Sequence, residues 1–211
     1  MALPWSNWVI IVSSARRKDL IVDRDAVLNW LQKNVPESRV QHILGVEAMS
    51  KQLAMVHCAD AQKAQTAGLM HDLAKYFPPD KLLAIAQEKG LEIDEICAVR
   101  PHLLHADVSA IVAEETFQVK DEEISSAIAQ HTLGNPKMSK ISCIVFVADK
   151  LEPNRGDNPD LNGMREITRK NLYQGVYQVC GMSIKKLIEK GRPIHPRTVA
   201  TRNWAMSTGK C

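Results

Sequence analysis

Gly68-Leu69-Met70-His71-Asp72-Leu73-Ala74-Lys75 sets an imidazole and a carboxylate side by side in a run that is otherwise apolar. Burying such a pair is costly unless both groups are hydrogen-bonded or bind something. The stretch belongs to an Ala-rich segment that Asp60 can cap and that runs through Leu69, Met70 and Leu73 to Phe77, where Pro78 and Pro79 stop it. The spacing predicts one helix over 61–77 with His71 and Asp72 inside it.

On both sides the chain reads as further helices. Asp25 can cap a helix carrying Val27, Leu28 and Leu31, and Pro36 opens another with Val40, Ile43, Leu44, Val46, Leu53 and Val56 on one broad face. Pro79 to Lys89 reads as a short helix closed by Gly90. A weaker segment covers 93–100, Leu104 to Phe117 is helical in period, and Asp121 caps a helix ending near Gly134 and Pro136. Ser139 to Leu151 fits two readings. Ile141, Ile144, Val145 and Val147 suit a strand, whereas Ile141, Ile144, Val145 and Ala148 trace one helical face. A last long helical stretch spans 162–190. No alternation of strands with helices, glycine-rich phosphate loop or internal repeat is present. The expected fold is all-α, one bundle over 25–204, with an extension over 1–24 and a tail over 205–211.

The composition fits this. The 211 residues are 45% hydrophobic and 24% charged, as in soluble globular proteins, and only 5% aromatic, which favours Ala, Leu, Ile and Val packed between helices. The net charge of +3 argues against a surface wholly devoted to nucleic acid, though a local basic pocket remains open. Cys58, Cys97, Cys143, Cys180 and Cys211 are odd in number and form no C-x-x-C pair, which points to a reducing cytoplasm, with Cys143 buried. The apolar run Trp8 to Val12 is far short of the roughly 20 residues of a membrane span. Arg16, Arg17 and Lys18 follow it, the reverse of a signal peptide. No membrane or nucleic-acid partner is expected.

The histidines carry the chemistry. His42 lies mid-helix among apolar neighbours, His105 opens one helix, His131 falls near the end of another, and Asp149 interrupts Ile144-Val145-Phe146-Val147-Ala148. With His71 and Asp72, five helices can each bring an imidazole or carboxylate to a common interior point. Imidazole and carboxylate without thiolate suit iron, manganese, zinc or cobalt. Two histidines and two aspartates leave coordination positions open, as catalytic sites do. Water on such an ion can have its pKa lowered to about 7.

This series resembles the HD-domain metal-dependent phosphohydrolases, whose signature is H…HD…D. The match continues through Arg39-Val40-Gln41-His42-Ile43-Leu44-Gly45-Val46, through His131-Thr132, and through Val147-Ala148-Asp149-Lys150-Leu151-Glu152-Pro153-Asn154-Arg155. Together these are similar to the bacterial symmetrical bis(5′-nucleosyl)-tetraphosphatases of the HD type, which cut diadenosine tetraphosphate into two ADP. The resemblance covers about 25–204.

The resemblance implies an HD-domain bundle with His42, His71, Asp72 and Asp149 as metal ligands, iron above manganese, cobalt or zinc. His105 and His131 then face the nucleotide phosphates or hold a second ion. It assigns substrate contacts to His42, Asp72, His105, His131, Asp149 and Arg155, and to Thr198, Arg202 and Asn203 in the segment 196–204 that closes over the nucleotide. In that segment Pro196-Arg197-Thr198 replaces an aromatic before the threonine, and Arg202 a Tyr-like position. Asp72, Lys75, His105 and His131 are the expected catalytic groups: Asp72 orients the water, Lys75 and Arg155 balance phosphate charge, and a protonated His105 or His131 assists the departing ADP. A homodimer is compatible with the family. Another HD nucleotide phosphohydrolase, acting on (p)ppGpp, a triphosphate or a monophosphate, is the alternative, as is a non-catalytic nucleotide-binding module.

Plainer readings stand beside these. Lys75 can be a solvated helix-end lysine, Arg155 can pair with Glu152 or Asp157, and His57 can mark an exposed helix end. His102 and the proline-flanked His195 read as loop residues, and Trp204 can anchor the tail on the core.

Overall fold

The computed structural model describes residues 22–209. Among them the regular elements are all helical: α1 (Arg24–Asn34), α2 (Glu37–Val56), α3 (Ala61–Met70), α4 (Pro79–Glu88), α5 (Glu95–Val99), α6 (His105–Phe117), α7 (Glu122–Gln130), α8 (Lys140–Leu151), α9 (Pro159–Lys170), α10 (Leu172–Glu189) and α11 (Pro196–Thr208). Short 3-10 turns at Pro101–Leu104 and Pro153–Arg155 complete the set. The all-α expectation holds. Most of the extension over 1–24, including Trp8 to Val12, lies outside the described residues. The expected boundaries both fall within helices, since α1 begins at Arg24 and α11 runs on through a fully buried Ala205.

Side-chain caps start most of these helices. Asp60, Asp94 and Asp121 each accept two backbone N–H groups, and Ser139 accepts one. At α1 the cap is Asp23 rather than Asp25, which sits in the first turn. The stretch 162–190 is two helices, broken at Asn171, whose side chain caps α10 through Gln174 N. Gly90 closes α4 at φ +67°, as its position predicts.

The ambiguous segment is the helix α8. Residues 141–149 are all buried, enclosed by α2, α3, α7 and α10. A helix covered on all sides has no polar face, so its periodicity cannot separate it from a buried strand. Cys143 lies there, wholly buried, and burial pushes its thiol pKa up.

One departure shapes the site. The helix predicted through Phe77 ends at Met70, and residues 71–76 continue as tighter turns with i→i+3 bonds from Lys75 N to Asp72 O and Phe77 N to Ala74 O. Ala74 N donates instead to Ser109 Oγ of α6 at 2.9 Å. Among the described residues no helix is long and apolar enough to cross a membrane.

Candidate metal and phosphate site

His42, His71, Asp72, His105, His131 and Asp149 all converge at the centre of the bundle, none more than 6% exposed. The imidazoles form a row, with ring centroids 5.4 Å apart for His42 and His71, 4.8 Å for His71 and His131, and 5.0 Å for His131 and His105. Gly68 allows the row to close. A Cβ there would meet Ser50 Oγ at 2.9 Å and Val46 O at 3.1 Å, so its absence lets α3 lie directly on α2.

Each histidine is oriented through its Nδ1. His71, His105 and His131 donate to the carbonyls of Gly68, His102 and Ile128, each three residues earlier, at 2.6–2.7 Å. These three stand at the end of α3, the start of α6 and the end of α7. His42, inside α2, turns its Nδ1 to Glu152 Oε1 at 2.9 Å instead. All four Nε2 atoms therefore face the two aspartates.

The donor set divides around Asp72. Its Oδ2 lies 3.3 Å from His71 Nε2 and 4.0 Å from His42 Nε2, while Asp149 Oδ1 lies 3.1 Å from His42 Nε2 and 3.8 Å from His71 Nε2. Ligands held about 2.1 Å from one ion stand about 3.0–3.4 Å from each other, close to this spacing. His71 Nε2 is buried with no hydrogen-bond partner, an orphan nitrogen beside two carboxylates. These residues fit a divalent metal ion. On the other side Asp72 Oδ1 lies 3.3 Å from His105 Nε2 and 3.6 Å from His131 Nε2, and Thr132 Oγ1 approaches both rings within 3.1 Å.

Charge explains the protonation states. Burial works against ionising Asp72 and Asp149, but the neighbouring imidazoles and, for Asp149, Lys150 hold both well below the usual carboxylate range. Burial also opposes a charge on His71, yet Asp72 and Asp149 outweigh it and raise its pKa. Burial pushes His131 down to about 3, which keeps it neutral.

Four cations surround the carboxylates. Arg39 Nη1 is 3.0 Å from Asp72 Oδ2, Lys150 Nζ 2.6 Å from Asp149 Oδ2, and Arg155 Nη2 2.8 Å from Asp149 Oδ1. Lys75 Nζ lies 3.2 Å from His105 Nε2, so it reaches the site even though the helix expected to carry it has ended. Burial lowers its pKa. Arg155 pairs with neither Glu152 nor Asp157; its Nε donates to Asp149 O at 2.8 Å.

Two cavities meet at Arg155. One of about 360 Å³ touches Thr132, Lys150, Lys186, Arg192 and Thr198. The other, about 680 Å³ between α9 and α10, touches Tyr177, Lys185, Lys186 and Arg202. Thr198 Oγ1 donates to Leu133 O at 3.2 Å, Arg202 lies over the Tyr177 ring, and Asn203 is exposed, accepting from Arg202.

Elsewhere, His195 is not a surface loop residue. It is buried, starts α11, and its Nε2 donates to Asp94 Oδ2 at 2.6 Å. His57 lies against Thr168 O, His102 is exposed, and Trp204 packs edge-on against Tyr173. Sequence reasoning gave no role to Arg39, Thr132 or Lys150, and took Glu152 only as a pairing partner of Arg155. Arg39 carried a signal in standing three residues before His42 on the same helical face, and Thr132 and Lys150 each directly follow a candidate residue.

Comparisons with known proteins agree with this geometry. The HD domain profile matches residues 39–154, from Arg39 to Asn154, and so includes every imidazole and carboxylate of the centre. A symmetrical bis(5′-nucleosyl)-tetraphosphatase of Halalkalibacterium halodurans is 34% identical over 182 residues, 86% of this chain and 96% of the relative. That of Bacillus subtilis is 31% identical over 186 residues, 88% and 99% of the two chains. The crystal structure of a predicted HD superfamily hydrolase involved in NAD metabolism from Clostridium acetobutylicum superimposes with a TM-score of 0.84 at 32% identity, over 87% of this chain and 97% of that one. With the profile spanning more than half of its length and the His71–Asp72 pair at the heart of the bundle, the chain belongs to the HD-domain family.

Proposed function

We propose that the protein hydrolyses diadenosine tetraphosphate and related dinucleoside polyphosphates symmetrically, releasing two nucleoside diphosphates. The observation that carries this is a buried His/Asp centre rimmed by Arg39, Lys75, Lys150 and Arg155, with four cations set around two carboxylates. Such a surplus suits a polyanion, whose hydrolysis depends on charge neutralisation and positioning. The symmetrical tetraphosphatases among the relatives support the same substrate class.

In this reading His42, His71, Asp72 and Asp149 hold a divalent ion, with iron the proposed metal, and His105 and His131 can hold a second ion with Asp72. When bound, the ion polarises a phosphoryl oxygen and lowers the pKa of water. The protein groups then do the rest. Asp72, with Oδ1 turned to His105 and His131, orients the attacking water. Arg39, Lys150 and Arg155 bind phosphate oxygens, Arg155 through a planar fork. Lys75 Nζ, held 3.2 Å from His105 Nε2, donates a proton to the departing oxygen, with His105 positioning it. Thr198 lines one nucleotide cavity and Arg202 the adjoining cleft. The free thiols of Cys58, Cys97, Cys143 and Cys180 fit a reducing cytoplasmic setting.

The test is product analysis of metal-loaded protein with diadenosine tetraphosphate. ADP as the sole product, lost on chelation and restored by iron, manganese or cobalt, is expected. ATP plus AMP, or no cleavage, would overturn the reading.

A further inference from the structure

A cut at the middle of a dinucleoside tetraphosphate leaves one nucleoside diphosphate on each side of the reacting phosphorus, so both halves need support. Lys150, Arg155, Thr198 and Arg202 gather around the cavities on the Asp149 side. Arg39 contacts Asp72 and lines neither cavity. Its Nη1 is 3.0 Å from Asp72 Oδ2, and its Cζ lies 6.0 Å from the centre of the Tyr76 ring. Tyr76 is 48% exposed, although Phe77 beside it finds Trp30 at a ring separation of 6.5 Å. The tightened turn that carries His71 and Asp72 inward thus ends by presenting an aromatic ring to solvent, with a guanidinium linking that ring to the site carboxylate.

We propose that Arg39 and Tyr76 form the subsite for the second nucleoside diphosphate half, Arg39 on its phosphate and Tyr76 stacked on its base. This rests on the symmetrical cleavage proposed above. Stacking on an aromatic ring tolerates any base, and a guanidinium suits the neighbouring phosphate. Arg202 over Tyr177, with Cζ 4.7 Å from the ring centre, is a similar pairing beside Arg155.

Metal-loaded wild-type protein and Tyr76→Ala are compared on diadenosine tetraphosphate, and adenosine 5′-tetraphosphate, which has a single nucleoside, serves as competitive inhibitor. Loss of one base stack should raise KM for the dinucleoside about tenfold with little change in kcat. The inhibition constant of the single-nucleoside compound should stay within about twofold, since its one base can sit on the Asp149 side, and Tyr76→Phe should restore the wild-type KM. An unchanged KM in Tyr76→Ala, or an equal rise in both constants, overturns the subsite. Failure of the wild-type protein to cleave the dinucleoside overturns the functional reading itself and is seen before any variant is compared.

Discussion

Glu152 Oε1 lies 2.9 Å from His42 Nδ1, and the two residues are 110 positions apart in the chain. Glu152 is 1% exposed, and its Oε2 accepts from Asn154 N at 2.7 Å, so the carboxylate is held at both ends. A carboxylate on Nδ1 keeps the proton there and leaves Nε2 as the lone-pair atom facing Asp149. Gly45 makes room for it, since a Cβ at that position would collide with Glu152 Oε2.

Removing that support should weaken the metal centre. Glu152→Ala is expected to lower divalent-ion affinity by about 10–100-fold, measured by titration calorimetry with manganese. Gly45→Ala should act in the same direction, because the added methyl displaces the same carboxylate. Unchanged affinity in both variants would show that His42 needs no orienting partner.

Asp72 is shared by both halves of the centre. Asp72→Ala should abolish hydrolysis while circular dichroism still reports a helical protein, because the surrounding core of α2, α3, α7 and α8 remains apolar. Retained turnover would show that the reaction runs elsewhere.

Removal of the ion should cost stability as well as activity. An ion that binds only the folded chain adds about 2.7 kcal/mol at a free concentration one hundred times its Kd. Chelation should therefore lower Tm, and manganese should restore it in a concentration-dependent way. A Tm indifferent to both would place the ion outside this buried centre.

The Asp94–His195 contact ties α5 to α11. Asp94 also caps α5 through Ile96 N and Cys97 N, and Asp94→Ala should destabilise by about 1–2 kcal/mol in denaturant unfolding. Partial burial acts to raise the Asp94 pKa, but the Cys97 N–H and His195 outweigh it and lower it. Its contribution is therefore present above the ordinary carboxylate value of about 4 and is lost as the pH falls through the lower folded value. The variant should lose less stability than the wild-type protein over that acid range, a difference that Tm measured against pH reports.

Much of this was legible before any coordinates. Caps such as Asp60 and Asp121, stops such as Pro78, and the 3.6-residue spacing of apolar side chains act over a few residues, so helices and their order follow from local chemistry. The candidate groups are equally local, because an Asp following the apolar run Ile144 to Ala148 has to be neutralised or coordinated wherever the helix goes. The centre itself is not local. Where the ladder of α3 stops involves Ser109, which takes the N–H of Ala74 from another helix. Glu152 meets His42, and Arg39 meets Asp72, only because α2, α3 and α8 pack together. The uniformly buried α8 shows the same limit, since enclosure on all sides removes the polar face from which a helix is recognised. Residue type and short-range spacing set the elements and the available chemistry. Long-range packing selects which imidazole faces which carboxylate, because that is determined by distances between helices that no single segment encodes.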